Sequence, residues 1–452
     1  MSAANKRILE TFQMNSSNSP QTPISALPTI ENAATVGAQA SNFRWVICAL
    51  LFLATVIAYV DRGVIGYLEK YLETVIGWNT IQYGYITGAF QVAYAIGLVC
   101  AGRLTDRLGT RKGFAIAISI WSIAAMLPGA AYSVVTFGVA MFILGLGEAA
   151  NFPACIKTVA EWFPRKERAL ATGIFNTGAN IGNIVVPLVV PFLVYSLGWR
   201  GAFIGTGALG FVWLGLWLWL YAKPEAHPRI SAKELALIQS DPPESIQGVP
   251  WIKLFARKET WAFSIAKFLT DPIWWFYLFW LPRYLQGTFH LNLSQSRKPV
   301  VAVYLVSIVG SIGGGWISAI LLRRGKSPNF SRKMALLICA VAVVPVVWAP
   351  FSSNLWVVVG LVGLAAAAHQ GWSANLFTLP SDTFPKAAVA SIVGIGGMMG
   401  AIGGALLQTA TGYIVARANG YVPLFVLACS VYLLALLIIQ LLAPKLAPAK
   451  IE

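Results

Sequence analysis

The sequence is divided into stretches of about 20 predominantly apolar residues, and this division constrains the fold more than any other feature. A helix of about 20 residues crosses the hydrocarbon core of a bilayer. Only 11% of the 452 residues are charged, against roughly 25% in a soluble domain. The pattern predicts an all-α polytopic membrane protein with twelve transmembrane helices. These predicted spans lie at about 44–65, 83–103, 113–131, 134–156, 169–195, 200–222, 260–286, 299–322, 333–350, 354–380, 388–416 and 421–443.

The basic residues are distributed unevenly between the loops. If the N-terminus is cytoplasmic and residues in the terminal turn of a span are counted with the adjoining loop, 25 of the 33 Lys and Arg residues lie in cytoplasmic segments, six lie on the other side and two lie within spans. Lys and Arg concentrate in cytoplasmic loops of membrane proteins. This asymmetry predicts that both termini are cytoplasmic, and it accounts for the net charge of +16 without a nucleic-acid partner. The expected location is the inner membrane. The five cysteines all fall within predicted spans and show no metal-ligand spacing, so no metal is expected.

Polar segments predict the domain boundaries. Residues 1–42 have no long apolar run and are expected to form a disordered cytoplasmic tail. The segment 223–257 is expected to be a cytoplasmic linker, in which Ser231-Ala232-Lys233-Glu234 predicts a helix start. The linker separates two six-helix bundles at 43–222 and 258–444, and residues 445–452 form a second cytoplasmic tail.

An internal repeat supports the division into two halves. An offset of 221 residues aligns Phe384-Pro385-Lys386 with Phe163-Pro164-Arg165, and Gly394-Ile395 with Gly173-Ile174. The same offset places His369 on Glu148. Transporter folds are commonly built from such repeats, with the binding site at the interface near the bilayer midplane.

The ionisable residues inside the predicted spans are candidates for a functional site. Asp61 and Arg62 are adjacent, and a charge at the centre of a membrane helix costs roughly 2.5 to 3.5 kcal/mol. The alternative is that the helix ends at Tyr59 and the pair lies among the lipid headgroups. Neighbouring side chains diverge by about 100° on a helix, so Arg62 needs an acid from another helix, and Glu148 is the best candidate.

A buried carboxylate that alternates between an unpaired state and a pair with Arg can load and release a proton. We therefore predict Asp61 and Glu148 as proton-coupling residues and Arg62 as the group that binds an anion. A static ion pair between two helices is the alternative for Glu148. Lys267 and Asp271 are four residues apart, so they either neutralise each other or leave Lys267 beside the substrate.

Uncharged polar side chains in spans two, five and ten are candidates for contacts with a polyhydroxylated ligand. Asn176, Asn180 and Asn183 share one face of span five, and hydrogen bonding between helices is the alternative explanation for such residues. The candidate ligand contacts among these polar residues are Gln91, Tyr94, Asn176, His369, Gln370, Ser373 and Asn375.

The loop between spans two and three resembles a motif of the major facilitator superfamily. It reads Gly102-Arg103-Leu104-Thr105-Asp106-Arg107-Leu108-Gly109-Thr110-Arg111-Lys112, and a weaker copy, Leu322-Arg323-Arg324-Gly325-Lys326, follows span eight. The resemblance implies a gating role, between conformations, for Gly102, Asp106, Arg107, Gly109 and Arg111. It also implies alternating access by two six-helix halves.

A narrower resemblance is to the anion:cation symporter branch and, within it, to hexuronate transporters. It rests on Tyr59-Val60-Asp61-Arg62, Gly145-Leu146-Gly147-Glu148-Ala149, Trp162-Phe163-Pro164, Lys267-Phe268-Leu269-Thr270-Asp271-Pro272 and His369-Gln370-Gly371-Trp372-Ser373-Ala374-Asn375. It implies proton-driven uptake of glucuronate or galacturonate. It also implies proton coupling through Asp61 and Glu148, and contact of Arg62, Tyr59 and Tyr94 with the anion.

The function expected from the sequence is a proton-coupled secondary transporter that imports hexuronates. Its expected partners are a small organic anion, protons and the lipid bilayer, and it is expected to act as a monomer without a cofactor. A symporter or exchanger of another organic anion, such as an aldonate, is the alternative within transport. A membrane sugar-acid sensor is the alternative outside transport, although neither the tail nor the central segment is long enough for a signalling domain. An enzyme is not expected, because the sequence contains neither a G-x-x-x-x-G-K-[ST] nor an H-E-x-x-H motif.

Overall fold

The computed structural model describes residues 41–241, 251–417 and 420–446, and none of these residues lies in a β-strand. Its α-helices are α1 (Phe43–Ile76), α2 (Thr80–Leu108), α3 (Thr110–Met126), α4 (Val134–Glu148), α5 (Asn151–Trp162), α6 (Arg165–Leu220), α7 (Ala232–Ile238), α8 (Trp251–Phe255), α9 (Lys258–Thr288), α10 (Arg297–Arg323), α11 (Pro328–Val343), α12 (Leu355–Leu376), α13 (Thr378–Thr383), α14 (Lys386–Arg417) and α15 (Val422–Leu442). The predicted all-α class is confirmed. Residues 1–40 of the predicted N-terminal tail and 447–452 of the predicted C-terminal tail lie outside the described residues.

Within the described ranges, ten helical stretches are long and apolar enough to cross a membrane. One of them, Lys166–Leu220, covers nearly all of α6, and Gly198 interrupts that helix with φ 72° and ψ 173°. Glycine can adopt this positive φ because it has no Cβ. Since these angles are not helical, α6 consists of two helical segments that meet at Gly198. The α9 helix is not among the ten, and the count of twelve spans stays a prediction.

Glycines bring helices from the two sides of the central segment into close contact. A Cβ at Gly84 of α2 would lie 2.9 Å from the backbone oxygen of Gln408 on α14, and a Cβ at Gly88 would lie 2.6 Å from the Thr409 hydroxyl. Small residues permit such close approach in membrane helices. The contact between α2 and α14 places Gln91, one turn further along α2, beside Gly404 of α14.

Two glycines of α10 pack in the same way against α12. A Cβ at Gly310 would lie 2.1 Å from the Ala367 carbonyl oxygen, and a Cβ at Gly314 would lie 2.1 Å from Cα of Gly371. The spacing of four residues puts both glycines on one face of α10, as in the G-x-x-x-G pattern of packed membrane helices. The two helices are therefore in backbone contact along this face.

The central segment is attached to the start of α1. Ser231 caps α7 by accepting a hydrogen bond from the Glu234 N–H at 3.2 Å, which confirms the predicted helix start. The Glu234 carboxylate accepts hydrogen bonds from the N–H groups of Phe43 and Arg44 and from the Ser41 hydroxyl. Burial alone would raise the pKa of Glu234, but these hydrogen bonds outweigh it and hold the pKa below its usual range. Glu234 thus caps α1 from another part of the chain.

Candidate functional site

Arg62 and Glu148 form a buried ion pair in the interior of the bundle. The Arg62 Nε and Nη2 atoms lie 2.7 Å and 2.6 Å from Glu148 Oε2. The exposed fractions of the two side chains are 2% and 0%. The predicted partner of Arg62 is therefore confirmed. Among the described residues, neither Arg62 Nη1 nor Glu148 Oε1 has a hydrogen-bond partner, so each group keeps one atom free for another partner.

Four aromatic rings surround the Arg62 guanidinium. The Cζ atom lies 4.4 Å from the ring centre of Tyr59, 5.4 Å from Phe90, 5.3 Å from Tyr94 and 5.3 Å from Trp275. A cation over an aromatic face is attracted by the negative charge density of the ring. We call Arg62, Glu148 and these four rings the arginine box. Helices α1, α2, α4 and α9 contribute to it, so it contains residues from both sides of the central segment.

Sequence reasoning did not identify two of the four rings as site residues. Trp275 belongs to Trp274-Trp275-Phe276-Tyr277 in span seven, and consecutive aromatic residues point all around a helix, which is typical of packing or lipid contacts. Phe90 directly precedes the candidate Gln91 but has no polar atom of its own. The spacing of Phe90 and Tyr94 by four residues was a usable signal, because such residues share a helical face. Their rings are stacked with centroids 5.8 Å apart.

Asp61 is buried close to the arginine box but is not paired. Its exposed fraction is 3%, and neither carboxylate oxygen has a hydrogen-bond partner among the described residues. Asp61 lies close enough to Glu148 and Arg62 for their charges to act on it. Because α1 continues to Ile76, the alternative in which the helix ends at Tyr59 is wrong.

Gln91 lies beside the arginine box with its amide unused. The side chain is fully buried, and neither its oxygen nor its nitrogen has a hydrogen-bond partner in the part of the chain that the structure describes. A Cβ at Gly404 would lie 3.1 Å from Gln91 Cδ and 3.2 Å from Trp275 Cδ1. Gly404 thus allows α14 to pack against both side chains. A buried amide without partners is costly, which favours a ligand contact at this position.

Lys267 and Asp271 pair with each other on α9. Their Nζ and Oδ2 atoms are 2.7 Å apart, and the lysine ammonium lies 4.3 Å from the ring centre of Phe377. This geometry favours the mutual neutralisation that their spacing allowed. The role of Lys267 as a substrate contact stays a prediction.

The candidates on α12 contact other helices. His369 Nδ1 lies 2.7 Å from the Tyr432 hydroxyl, and its ring stacks on Trp274 with centroids 5.3 Å apart. Gln370 donates to Asn180 Oδ1 at 2.9 Å. Asn375 donates to the carbonyl oxygens of Gly314 and Gly371 at 2.8 Å and 2.9 Å.

These contacts fit the alternative explanation for the polar residues, which is hydrogen bonding between helices. Ser373 is half-buried, and Asn176 on α6 is exposed. The roles of the α12 residues and of Asn176 as ligand contacts stay predictions.

The predicted gating loop joins α2 to α3. Gly109 is the junction, with φ 75° and ψ 160°, and this positive φ explains why glycine stands there. Arg107 and Arg111 are exposed, and Arg111 donates to the carbonyl oxygen of Leu218 at 2.5 Å. The side chains of residues 101–106 lie outside the described part, so Gly102 and Asp106 are placed only on helix α2. Their gating role stays a prediction. Within the described ranges, no group of three or more His, Cys, Asp or Glu side chains could hold a metal ion.

Apolar membrane-length helices around a buried ion pair and an aromatic box define a helical membrane protein with an internal polar site. Comparison with known families gives its class: residues 51–408 match the family model of the Major Facilitator Superfamily. The chain belongs to the Major Facilitator Superfamily and is a multi-pass membrane protein. Members of this superfamily are membrane transporters, which is consistent with a protein that is not an enzyme.

Similar proteins include named sugar-acid transporters. The chain is 30% identical over 405 residues to the hexuronate transporter of Escherichia coli (strain K12), covering 88% of this chain and 93% of the relative. It is 27% identical over 407 residues to the D-galactonate transporter of Escherichia coli O6:H1, covering 87% and 94%. A crystal structure of a bacterial homologue of the human lysosomal transporter Spinster matches with a TM-score of 0.67 and 18% identity, over 90% of this chain and 96% of that one. The last likeness concerns the fold alone.

Proposed function

We propose that the chain is a proton-coupled symporter that imports a hexuronate by alternating access. The observation that carries the proposal is the buried arginine box, in which Arg62 keeps Nη1 free beside the free Oε1 of Glu148. A buried arginine in contact with aromatic rings suits a sugar acid, because it offers charge to the carboxylate and ring faces to the C–H groups of the sugar. The named functions of the relatives support the same class of substrate.

Substrate and proton binding are linked by the charge of the site. Arg62 carries one positive charge, whereas Glu148 and Asp61 together carry two negative charges when both are ionised. A substrate carboxylate adds a third negative charge in a buried site, where unbalanced charge is expensive. Protonation of Glu148 or Asp61 relieves this excess, so proton binding favours anion binding and the two move together.

The charge of the remaining buried basic groups favours a substrate with one carboxylate. Lys267 is already paired with Asp271, Arg283 on α9 is paired with Glu69 and Glu73, and Arg44 at the start of α1 is paired with Glu167 and Glu234. Among the described residues, Arg62 is therefore the buried basic group that has an acidic partner and still has a donor atom, Nη1, without a hydrogen-bond partner. Gln91 next to Trp275 offers a donor and an acceptor for sugar hydroxyl groups.

An aldonate symporter is the second candidate, favoured by the similarity to the D-galactonate transporter. An aldonate has the same single carboxylate but an open chain, so Arg62 serves both ligands. The cyclic form of a hexuronate presents a flat C–H face to an aromatic ring, whereas an open chain does not. Trp275→Leu is therefore expected to weaken hexuronate binding more than aldonate binding.

Uptake into proteoliposomes tests the proposal. Radiolabelled glucuronate or galacturonate is supplied with and without an inward proton gradient, and unlabelled galactonate and gluconate serve as competitors. We expect accumulation above equilibrium only with the gradient, and weaker competition by the aldonates. Uptake that ignores the gradient, or that requires substrate inside the vesicle, would contradict proton symport.

The remaining parts of the proposal follow from the sequence. The distribution of Lys and Arg supports an inner-membrane location with both termini cytoplasmic. We place the gating function in the loop from Gly102 to Arg111, on the resemblance of that loop to the superfamily motif. We further propose that the transporter acts as a monomer, with the site between the bundles 43–222 and 258–444.

A further inference from the structure

Another buried arginine, Arg283, lies far along α9, at the end of the bundle where α1 ends and α2 begins. The Arg283 Nη1 atom donates to Glu69 and lies 3.2 Å from Glu73 Oε2, and Nη2 lies 3.2 Å from Glu73 Oε1 and 2.9 Å from the Thr80 hydroxyl. Glu69 is fully buried, and the exposed fraction of the Arg283 side chain is 9%. We call Arg283, Glu69, Glu73 and Thr80 the Arg283 cluster. It joins α9 to α1 and α2 across the central segment.

Further hydrogen bonds close the same end of the bundle. Gln286 on α9 donates to the Tyr67 carbonyl oxygen and to the Ser296 hydroxyl, both at 3.2 Å. The Tyr67 hydroxyl donates to the Leu293 carbonyl oxygen at 2.5 Å. Ser296 is fully buried in these contacts. The helices that meet here come from both sides of the central segment, so this end cannot open while the contacts persist.

The internal repeat relates the Arg283 cluster to the arginine box. The offset of 221 residues that places His369 on Glu148 also places Arg283 on Arg62 and Pro282 on Asp61. The second copy therefore keeps the arginine but has lost both carboxylates of the first copy. A buried arginine needs an acidic partner. Arg283 finds this partner in the other copy, on α1, and its ion pairs consequently cross the interface.

Helix α1 connects the two arginines. Arg62 and Glu69 are seven residues apart, which is close to two turns, so both lie on one face of α1. One face of α1 thus carries an arginine that pairs within the first copy and a glutamate that pairs with the second. A rotation or tilt of α1 at the arginine box is therefore transmitted to Glu69 by a rigid helix.

We propose that the Arg283 cluster is a gate lock: its ion pairs hold this end of the bundle closed, and they must separate for the site to open towards that side. The proposal rests on alternating access as the proposed function. The separated charges do not remain buried and unpaired, because water that enters the opened end solvates both of them. The lock is specific to this interface, since Arg283 pairs with residues of α1 rather than with its own copy.

Cysteine labelling tests the lock without substrate or proton gradient. Ser296→Cys places a nearly isosteric reporter in the closed end, in a chain whose five native cysteines are replaced by alanine. The purified full-length protein in detergent is reacted with a maleimide. Arg283→Gln and Glu69→Gln are each expected to raise the labelling rate at least about tenfold, which corresponds to a shift of about 1.4 kcal/mol in the opening equilibrium.

Lys70→Gln is the matched control. Lys70 lies next to Glu69 on α1 and pairs with Glu73 at 2.7 Å, but its side chain is 48% exposed. An exposed pair contributes little, so this variant should change the rate by less than about twofold. The exchange of charges in Glu69→Arg with Arg283→Glu should return the labelling rate towards that of the reporter alone.

Size-exclusion profiles and unfolding temperatures establish that the variants are folded. If Arg283→Gln fails to fold, Glu73→Gln removes only the partner at the rim of the cluster and should still raise the rate, by less than Glu69→Gln. Unchanged rates in folded Glu69→Gln and Glu73→Gln would overturn the lock, as would an equal increase in Lys70→Gln. Since no substrate is present, a failed uptake experiment leaves the labelling result interpretable.

Discussion

Replacement of Arg62 by lysine separates recognition of a carboxylate from general support of the fold. The guanidinium uses Nε and Nη2 on Glu148 and keeps Nη1 free, whereas a lysine ammonium is a single point charge on a flexible stem. Arg62→Lys therefore keeps the charge but cannot hold Glu148 and a substrate carboxylate in the same geometry. The loss of one charge-assisted hydrogen bond corresponds to about 1.5 to 3 kcal/mol.

This free energy predicts a loss of affinity for glucuronate of about 10- to 150-fold. A neutral glucuronolactone lacks the carboxylate, so its affinity should fall by less than about threefold. The assay is competition of each compound against radiolabelled glucuronate in proteoliposomes, with surface-accessible protein quantified in parallel. Arg283→Lys is the control, because it alters another buried arginine of the bundle and should not discriminate acid from lactone. Equal losses for acid and lactone in Arg62→Lys would refute carboxylate binding and leave a structural role.

Three further predictions concern coupling, attachment and packing. Glu148→Gln should abolish accumulation driven by a proton gradient while substrate exchange persists; strong pH-dependent accumulation would contradict its role. Glu234→Gln should lower the free energy of unfolding by about 1 to 3 kcal/mol at pH 7, because it removes a charged acceptor from the start of α1. The pKa of Glu234 lies below its ordinary value in the folded protein. The difference in free energy of unfolding between the original protein and Glu234→Gln should therefore persist at neutral pH, and should disappear as the pH falls below about 4.5 and through the lowered pKa. Thermal unfolding at a series of pH values measures this difference. Gly314→Ala should destabilise the fold by about 1 to 3 kcal/mol because its Cβ meets the backbone of Gly371, whereas Gly313→Ala, whose Cβ meets nothing within 4 Å, should not.

The pairing of Arg62 with Glu148 was predictable because a membrane interior offers few partners. A buried arginine needs an acidic partner. The adjacent Asp61 points in a different direction around the helix axis, and few other carboxylates lie within the predicted spans. Elimination therefore led to Glu148 without knowledge of the helix packing. The same scarcity made the pairing of Lys267 with Asp271 foreseeable from their spacing.

The rings of the arginine box were not predictable in the same way. An aromatic side chain is compatible with lipid, with packing and with a cation, so its identity does not select one environment. Trp275 reaches Arg62 because α9 packs against α1 and because Gly404 leaves space for α14 beside it. These are consequences of helix rotation and distance. Asn375 shows the converse case, since a polar candidate for ligand binding donates both its hydrogen bonds to backbone oxygens of α10 and α12.

The sequence by itself determined the helical class, the repeat and the charged residues in the middle of the spans, because hydrophobic length and the cost of burying charge act along the chain; it did not single out Glu69 and Arg283, which are also buried. Only the tertiary structure decided the direction in which each polar group turns. Arg62 and Arg283 occupy equivalent positions of the repeat, yet one pairs within its own copy and the other pairs across the interface. The physical reason is that a buried charge specifies the need for a partner, whereas the packing of neighbouring helices decides which partner lies within reach.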